Sequence, residues 1–228
     1  MRPICRLVLF GDSIFNGQGV SIHRGWVTRL SAIAEALSSE LDHEIIVVNA
    51  SVNGSTTRQA LERMPYEVQS HGVEILLVQF GLNDCNFWVT DRGLPRVSPE
   101  GFEANLIEIV RRGIHFGAKA IFLHTNHPTC KTLDAKPFSC MPYEESARLY
   151  NQIIRRVAAR YTDSVHLNDI EKAWIAHCAD SKNRLEYYLL ADGLHLNQAG
   201  HDLYYKLVER PIIETISQIC RQTPRIEE

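Results

Sequence analysis

Nowhere in the 228 residues does an apolar run approach the length needed to span a bilayer. The amino-terminal run over 7–10 is stopped by Gly11-Asp12 and is too short for a signal-peptide core, so a cytoplasmic location without a membrane span is expected. Surplus charge is also missing: 24 Lys and Arg face 27 Asp and Glu, a formal net charge of -3, which gives no electrostatic reason to expect a nucleic-acid partner. The six cysteines, Cys5, Cys85, Cys130, Cys140, Cys178 and Cys220, contain no C-x-x-C pair, which argues against both a zinc knuckle and a disulfide framework. Cys5 and Cys220 lie in apolar surroundings and read as inert core thiols, whereas Cys130 and Cys140 flank a polar loop and could pair under oxidation. No G-x-G-x-x-G follows any apolar run, since Gly17-Gln18-Gly19 lacks the third glycine, so a dinucleotide-binding module is disfavoured. Internal repeats, low-complexity tracts and linkers are absent, and one domain over 1–228 is expected. No motif names a protein partner.

What is present is ordinary globular material, 45% hydrophobic and 22% charged. Short apolar runs bounded by glycine or polar residues predict strands over 4–10, 44–50, 73–80, 118–124 and 164–168. Helical spacing predicts helices over 26–37, from 57 to about 69 with Pro65 a kink or break, 102–116, 143–161, 170–178 and 198–220. The terminal residues 223–228 read as a frayed tail. Strand and helix alternate almost throughout, which implies an α/β protein with a five-stranded, mainly parallel sheet covered on both faces.

The loops after the strands carry the chemistry. Gly11-Asp12-Ser13-Ile14 follows the first strand, Val52-Asn53-Gly54-Ser55-Thr56 the second and Gly81-Leu82-Asn83-Asp84 the third, while Asp192-Gly193-Leu194-His195 precedes the last helix. Any one of these is ordinary turn composition. Gly54 alone is a turn residue, Asn83 alone a cap, Asp192 alone a helix cap and His195 alone a core histidine. Together, in this order over residues 11–195, they resemble the four blocks of the SGNH, or GDSL, family of serine esterases and lipases. Ile14 stands where leucine is usual, a volume-conserving change.

That resemblance implies a flavodoxin-like, three-layer α/β/α fold and hydrolysis of a carboxylic ester through an acyl-enzyme, without a cofactor. A serine hydroxyl is a poor nucleophile and needs a base; the matching positions give Ser13 as nucleophile, His195 as base and Asp192 as the carboxylate that orients it. They give the backbone N–H of Ser13, the backbone N–H of Gly54 and the side-chain amide of Asn83 as oxyanion donors. Asp12 and Asp84 read as loop-ordering side chains. The expected substrate is a small-molecule or carbohydrate ester with a short acyl group, an O-acetyl sugar among the candidates. A thioesterase, a lysophospholipase or an acyltransferase would use the same residues, and a binding module that has lost the chemistry is the rival from another class. Trp88, Arg92 and His127 are candidate substrate contacts: an aromatic that can stack on a sugar or cover an acyl chain, a cation for an anionic substrate, and a histidine in a loop on the site's side. His124, His127 and Cys130 match no recognised zinc spacing, and no metal is expected.

Overall fold

Leu7, Val8, Leu9 and Phe10 are all fully buried, which an unbroken apolar strand achieves when helices cover both faces of its sheet. In the computed structural model, which describes residues 2–131, 139 and 141–223, these residues belong to β1 (Ile4–Gly11). It lies within an all-parallel sheet with β2 (Glu44–Asn49), β3 (Ile75–Gln79), β4 (Ala120–His124) and β5 (Val165–Asn168), in the order β2-β1-β3-β4-β5. Val8 sits opposite Val48 on one side and Leu76 on the other. The helices are α1 (Ser13–Asn16), α2 (Trp26–Leu41), α3 (Thr57–Glu67), α4 (Pro99–His115), α5 (Tyr143–Ala158), α6 (Ile170–Asp180) and α7 (Gln198–Gln222). Helix α2 packs on α7, and α4 packs on α3 and α5, which makes the two outer layers.

The chain leaves β1 towards β2 and leaves β3 towards β4, in opposite directions across the sheet. Such a reversal opens a crevice at the carboxyl ends of the two strands, the usual ligand position in open α/β sheets. The loops carrying Ser13 and Asn83 begin there.

Several boundaries depart from the apolar pattern for local reasons. Helix α4 starts at Pro99, ahead of the first apolar residue, because the Ser98 hydroxyl accepts from the Gly101 N–H (3.1 Å) and proline suits the first turn. Helix α3 continues through Pro65 and stops at Glu67, followed by a 3₁₀ turn, Gln69–His71; proline lacks the N–H that would bond to Leu61. A second 3₁₀ turn, Leu185–Tyr188, stands in a stretch that reads as plain loop. Its Tyr188 is buried against Trp174, a tertiary contact that leaves no local periodicity. Cys5 and Cys220 are buried, as their surroundings suggest. The pairing considered for Cys130 and Cys140 and the tail after Thr223 lie outside the described residues. Among the described residues no helix is long and apolar enough to cross a membrane.

Candidate active site

Strand β1 ends at Gly11, where a Cβ would lie 2.9 Å from the Gln79 carbonyl oxygen and 3.0 Å from Phe15 Cβ. Without a side chain at this point the strand can turn at once into α1. The Asp12 carboxylate caps that helix by accepting from the Ile14 N–H (3.0 Å), and Gly17, at φ 82°, closes it. The Trp26 indole N–H donates to the Ile14 carbonyl (3.2 Å), and Phe15 is buried against Trp26 and His124. Ser13 is thereby held almost out of solvent, its Oγ 3.0 Å from His195 Nε2.

His195 and Asp192 share one tight turn. Asp192 Oδ1 accepts from the N–H groups of Leu194 and His195 (both 2.9 Å), and Oδ2 lies 2.5 Å from His195 Nδ1. Burial pushes the Asp192 carboxyl up, but the His195 ring and the two backbone donors outweigh it and hold the group below its ordinary value. An ionised carboxylate at Nδ1 fixes the proton there and leaves the Nε2 lone pair facing the Ser13 hydroxyl. The turn is held from behind by the segment after β4: His127 Nε2–H donates to the Leu194 carbonyl and the Cys130 N–H to the Gly193 carbonyl, each at 2.8 Å. His127, offered by its loop position as a substrate contact, is thus placed behind the turn. It is only 1% exposed, its ring packs on Trp174, and burial pushes its pKa down to about 4, which keeps it neutral.

Gly54 lies at φ +75° in an exposed turn closed by the Ser55 N–H on the Val52 carbonyl (3.1 Å). The Val52 N–H bonds to the Gly11 carbonyl (3.1 Å), so this turn is tied to the end of β1. Asn83 donates one amide hydrogen from Nδ2 to Asp12 Oδ2 (3.2 Å), which leaves the second free to point elsewhere. Asp12 is fully buried, and this raises its pKa to about 7 against the opposing bonds from Ile14, Gln79 and Asn83. Asp84, raised by burial to about 6, accepts from the Thr57 N–H (2.9 Å) and hydroxyl (2.5 Å) and anchors the start of α3.

The remaining candidates divide. Trp88 is half exposed and walls a cavity of about 320 Å³ with Thr56, Arg58, Gln59, Asp91 and Arg96. Arg92 is exposed at the end of a 3₁₀ turn, Val89–Asp91, and does not line that cavity. His124 has both ring nitrogens engaged, Nδ1 by the Tyr204 hydroxyl (2.9 Å) and Nε2 by the Asn168 amide (3.1 Å), so it offers no lone pair to a cation.

The model of the GDSL-like lipase/acylhydrolase family matches residues 9–203, most of the chain. The chain belongs to that family. Among curated relatives, the Vibrio mimicus arylesterase is 27% identical over 54% of this chain and 56% of its own. The chain spans about half the length of the curated relatives it matches. Two solved structures share the fold. The lipase/acylhydrolase of Enterococcus faecalis superposes with a TM-score of 0.68 at 24% identity, covering 100% of both chains. The acetylxylan esterase of Geobacillus stearothermophilus superposes with a TM-score of 0.71 at 20% identity, covering 93% of this chain and 96% of its own.

Two arginines beside the site residues make contacts that the sequence does not assign, Arg63 in α3 and Arg96 in the long connection over 85–99. Arg63 donates from Nη2 to the Gly11 carbonyl (3.2 Å) and Ser55 Oγ (3.4 Å), donates from Nη1 to the Ala50 carbonyl, and lies 4.6 Å from the Phe10 ring centroid. It ties the ends of β1 and β2 together. Arg96 reaches both Gly54 and Asn83 from a loop that doubles back. In sequence Arg63 stands between Glu62 and Met64 and Arg96 between Pro95 and Val97, and no spacing marks either one.

Proposed function

We propose that this protein hydrolyses carboxylic esters through an acyl-enzyme on Ser13. The observation that carries the reading is the chain of contacts from Ser13 Oγ to His195 Nε2 (3.0 Å) and from His195 Nδ1 to Asp192 Oδ2 (2.5 Å). Ser13 Oγ attacks the ester carbonyl carbon as its proton passes to Nε2; the resulting oxyanion is held by the N–H groups of Ser13 and Gly54 and by the Asn83 amide. The carbon–oxygen bond to the alcohol then breaks, and the alcohol leaves with the proton from Nε2. Water adds to the acyl carbon, gives its proton to Nε2, and the carbon–Ser13 Oγ bond breaks as the proton returns to the serine. Asp192 stays ionised throughout and stabilises the imidazolium.

A short acyl group on a polar alcohol is the substrate class that fits best. The cavity beside Trp88 offers an aromatic face with arginine, glutamine and aspartate side chains around it, suited to the hydroxyls and flat faces of a sugar. Similarity to an acetylxylan esterase supports the same class.

A panel of p-nitrophenyl esters of increasing acyl length tests the proposal, with the wild type and Ser13→Ala measured side by side. Hydrolysis by the wild type that falls with chain length and vanishes in Ser13→Ala is expected, together with labelling of Ser13 by a fluorophosphonate. Equal rates for the two proteins, or labelling of a different serine, would overturn it.

A further inference from the structure

The 85–98 loop follows Asn83 and folds back on its own beginning. Phe87 bridges to Pro95, the Arg96 N–H donates to the Asn86 carbonyl (2.9 Å), and the Val97 N–H donates to the Asp84 carbonyl (3.1 Å). Val97 is buried, and its carbonyl accepts from the Tyr150 hydroxyl, so the backbone at this point is fixed to the body of the protein. From that fixed base the Arg96 guanidinium lies over the Trp88 ring, 4.2 Å from its centroid. Its Nη1 donates to the Gly54 carbonyl at 3.1 Å and faces Asn83 Oδ1 at 3.5 Å. Among the described residues Arg96 is the one side chain that bonds to both Gly54 and Asn83.

Each contact acts on a group the proposed reaction needs. Gly54 has nothing within 4 Å of the position a Cβ would take, so sterics do not set its conformation. A glycine at φ +75° has wide rotational freedom, and the Arg96 bond to its carbonyl restricts it. At Asn83 the carboxylate of Asp12 faces Nδ2 and the guanidinium faces Oδ1. An acceptor oxygen of Asp12 at one end and a cation at the other leave the amide one favourable orientation, with its remaining N–H presented as a donor. Trp88 is the platform on which the planar guanidinium is seated beside both acceptors.

We propose that Arg96, seated on Trp88, is a positioning residue that sets the oxyanion hole by clamping the Gly54 carbonyl and the Asn83 amide at once. The inference rests on the reading of Gly54 and Asn83 as oxyanion donors to an ester held at Ser13. Donor placement acts on the transition state more than on the bound ester, so the effect belongs in kcat.

The test compares wild type, Arg96→Ala, Arg96→Lys and Arg96→Gln on p-nitrophenyl acetate, with melting temperatures for each and Ser13→Ala as the blank. Arg96→Ala should lower kcat about 10- to 100-fold, with KM within about twofold, because displaced donors cost rate without costing ground-state binding. Arg96→Lys should recover part of the loss, since it keeps the cation but its shorter side chain ends before the position of Nη1 and has no planar face to seat on Trp88. Added guanidinium chloride at concentrations well below denaturing should raise kcat of Arg96→Ala and leave the wild type unchanged. Inactivation by a fluorophosphonate, whose phosphoryl oxygen seeks the same donors, should slow in parallel with kcat. If Arg96→Ala does not fold, the same comparison is made with Arg96→Lys and Arg96→Gln. The proposal is overturned if the folded variants keep kcat within about twofold of wild type, or if the whole loss falls in KM, which would make Arg96 a substrate contact. A wild type that hydrolyses no ester, or a Ser13→Ala that hydrolyses it as fast, would instead remove the underlying reading and leave the Arg96 contacts as loop structure.

Discussion

Asp192 does two things with one carboxylate: Oδ1 takes the Leu194 and His195 N–H groups, and Oδ2 faces His195 Nδ1. Asp192→Asn separates them. An asparagine whose oxygen keeps the two backbone bonds must turn its NH₂ towards Nδ1, which forces the proton to Nε2 and leaves Ser13 facing a donor. The expected result is a fall in kcat of about 10⁴-fold with an unchanged melting temperature, as for a triad carboxylate made neutral. A loss below about tenfold would show that tautomer control does not limit the reaction. At Asn83 the expected cost of Asn83→Ala is about 100- to 1000-fold in kcat, the usual value of one oxyanion donor. KM should change little, and an effect confined to KM would count against the donor role.

At the scale of elements, the site depends on where strands stop, and the glycines at those stops are not equivalent. Gly54→Ala meets no atom within 4 Å and carries only the penalty of a positive φ, about 1–2 kcal/mol. Gly11→Ala instead drives a methyl against the Gln79 carbonyl and Phe15, at 2.9 and 3.0 Å. It should destabilise by more than Gly54→Ala and should displace α1, and with it Ser13. Urea denaturation of the two variants checks the order, and equal midpoints would refute it. The Ser98 cap of α4 belongs to the same scale: Ser98→Ala should cost about 1 kcal/mol by losing the bond to the Gly101 N–H. Strands were legible in the sequence because a strand buried on both faces reads as an apolar run, as residues 7–10 and 75–78 do. The start of α4 was less so, because its cap, Ser98-Pro99, lies outside the apolar repeat that marks the helix body; α2, α3, α5, α6 and α7 begin where the spacing predicts.

For the molecule as a whole, burial has collected histidines that resist protonation. His124 is pushed down to about 3 and His127 and His201 to about 4, in each case chiefly by desolvation, against an ordinary value of 6.5. Between pH 6.5 and 4 the unfolded chain takes up protons at these residues that the folded one refuses, so each contributes stability that is lost as pH falls through that window. Asp12 and Asp84, held protonated to about 7 and 6, act the opposite way, with stability lost as pH rises. Replacing one histidine isolates its share: between pH 6 and 4 the stability of the wild type should fall more steeply than that of His124→Gln, by about 1.4 kcal/mol per pH unit. Parallel curves would show that His124 titrates normally in the folded protein.

Sequence alone determined the alternation of strands and helices, the strand-end positions of Ser13, Gly54 and Asn83, and the pairing of Asp192 with His195 across three residues. The first two follow from local rules, apolar periodicity and turn chemistry, which act over a few neighbouring residues; the pairing is what the resemblance of the four blocks to the family implies. Tertiary structure decided the rest. It buried His127 against Trp174, where a loop position had suggested a substrate contact, and turned the ring to hold the Asp192–His195 turn. It also brought Arg96 back across the 85–98 loop to Gly54 and Asn83, residues 42 and 13 positions away. Contacts of that kind depend on how a loop closes in space, and no local pattern encodes which side chains will face each other once it has.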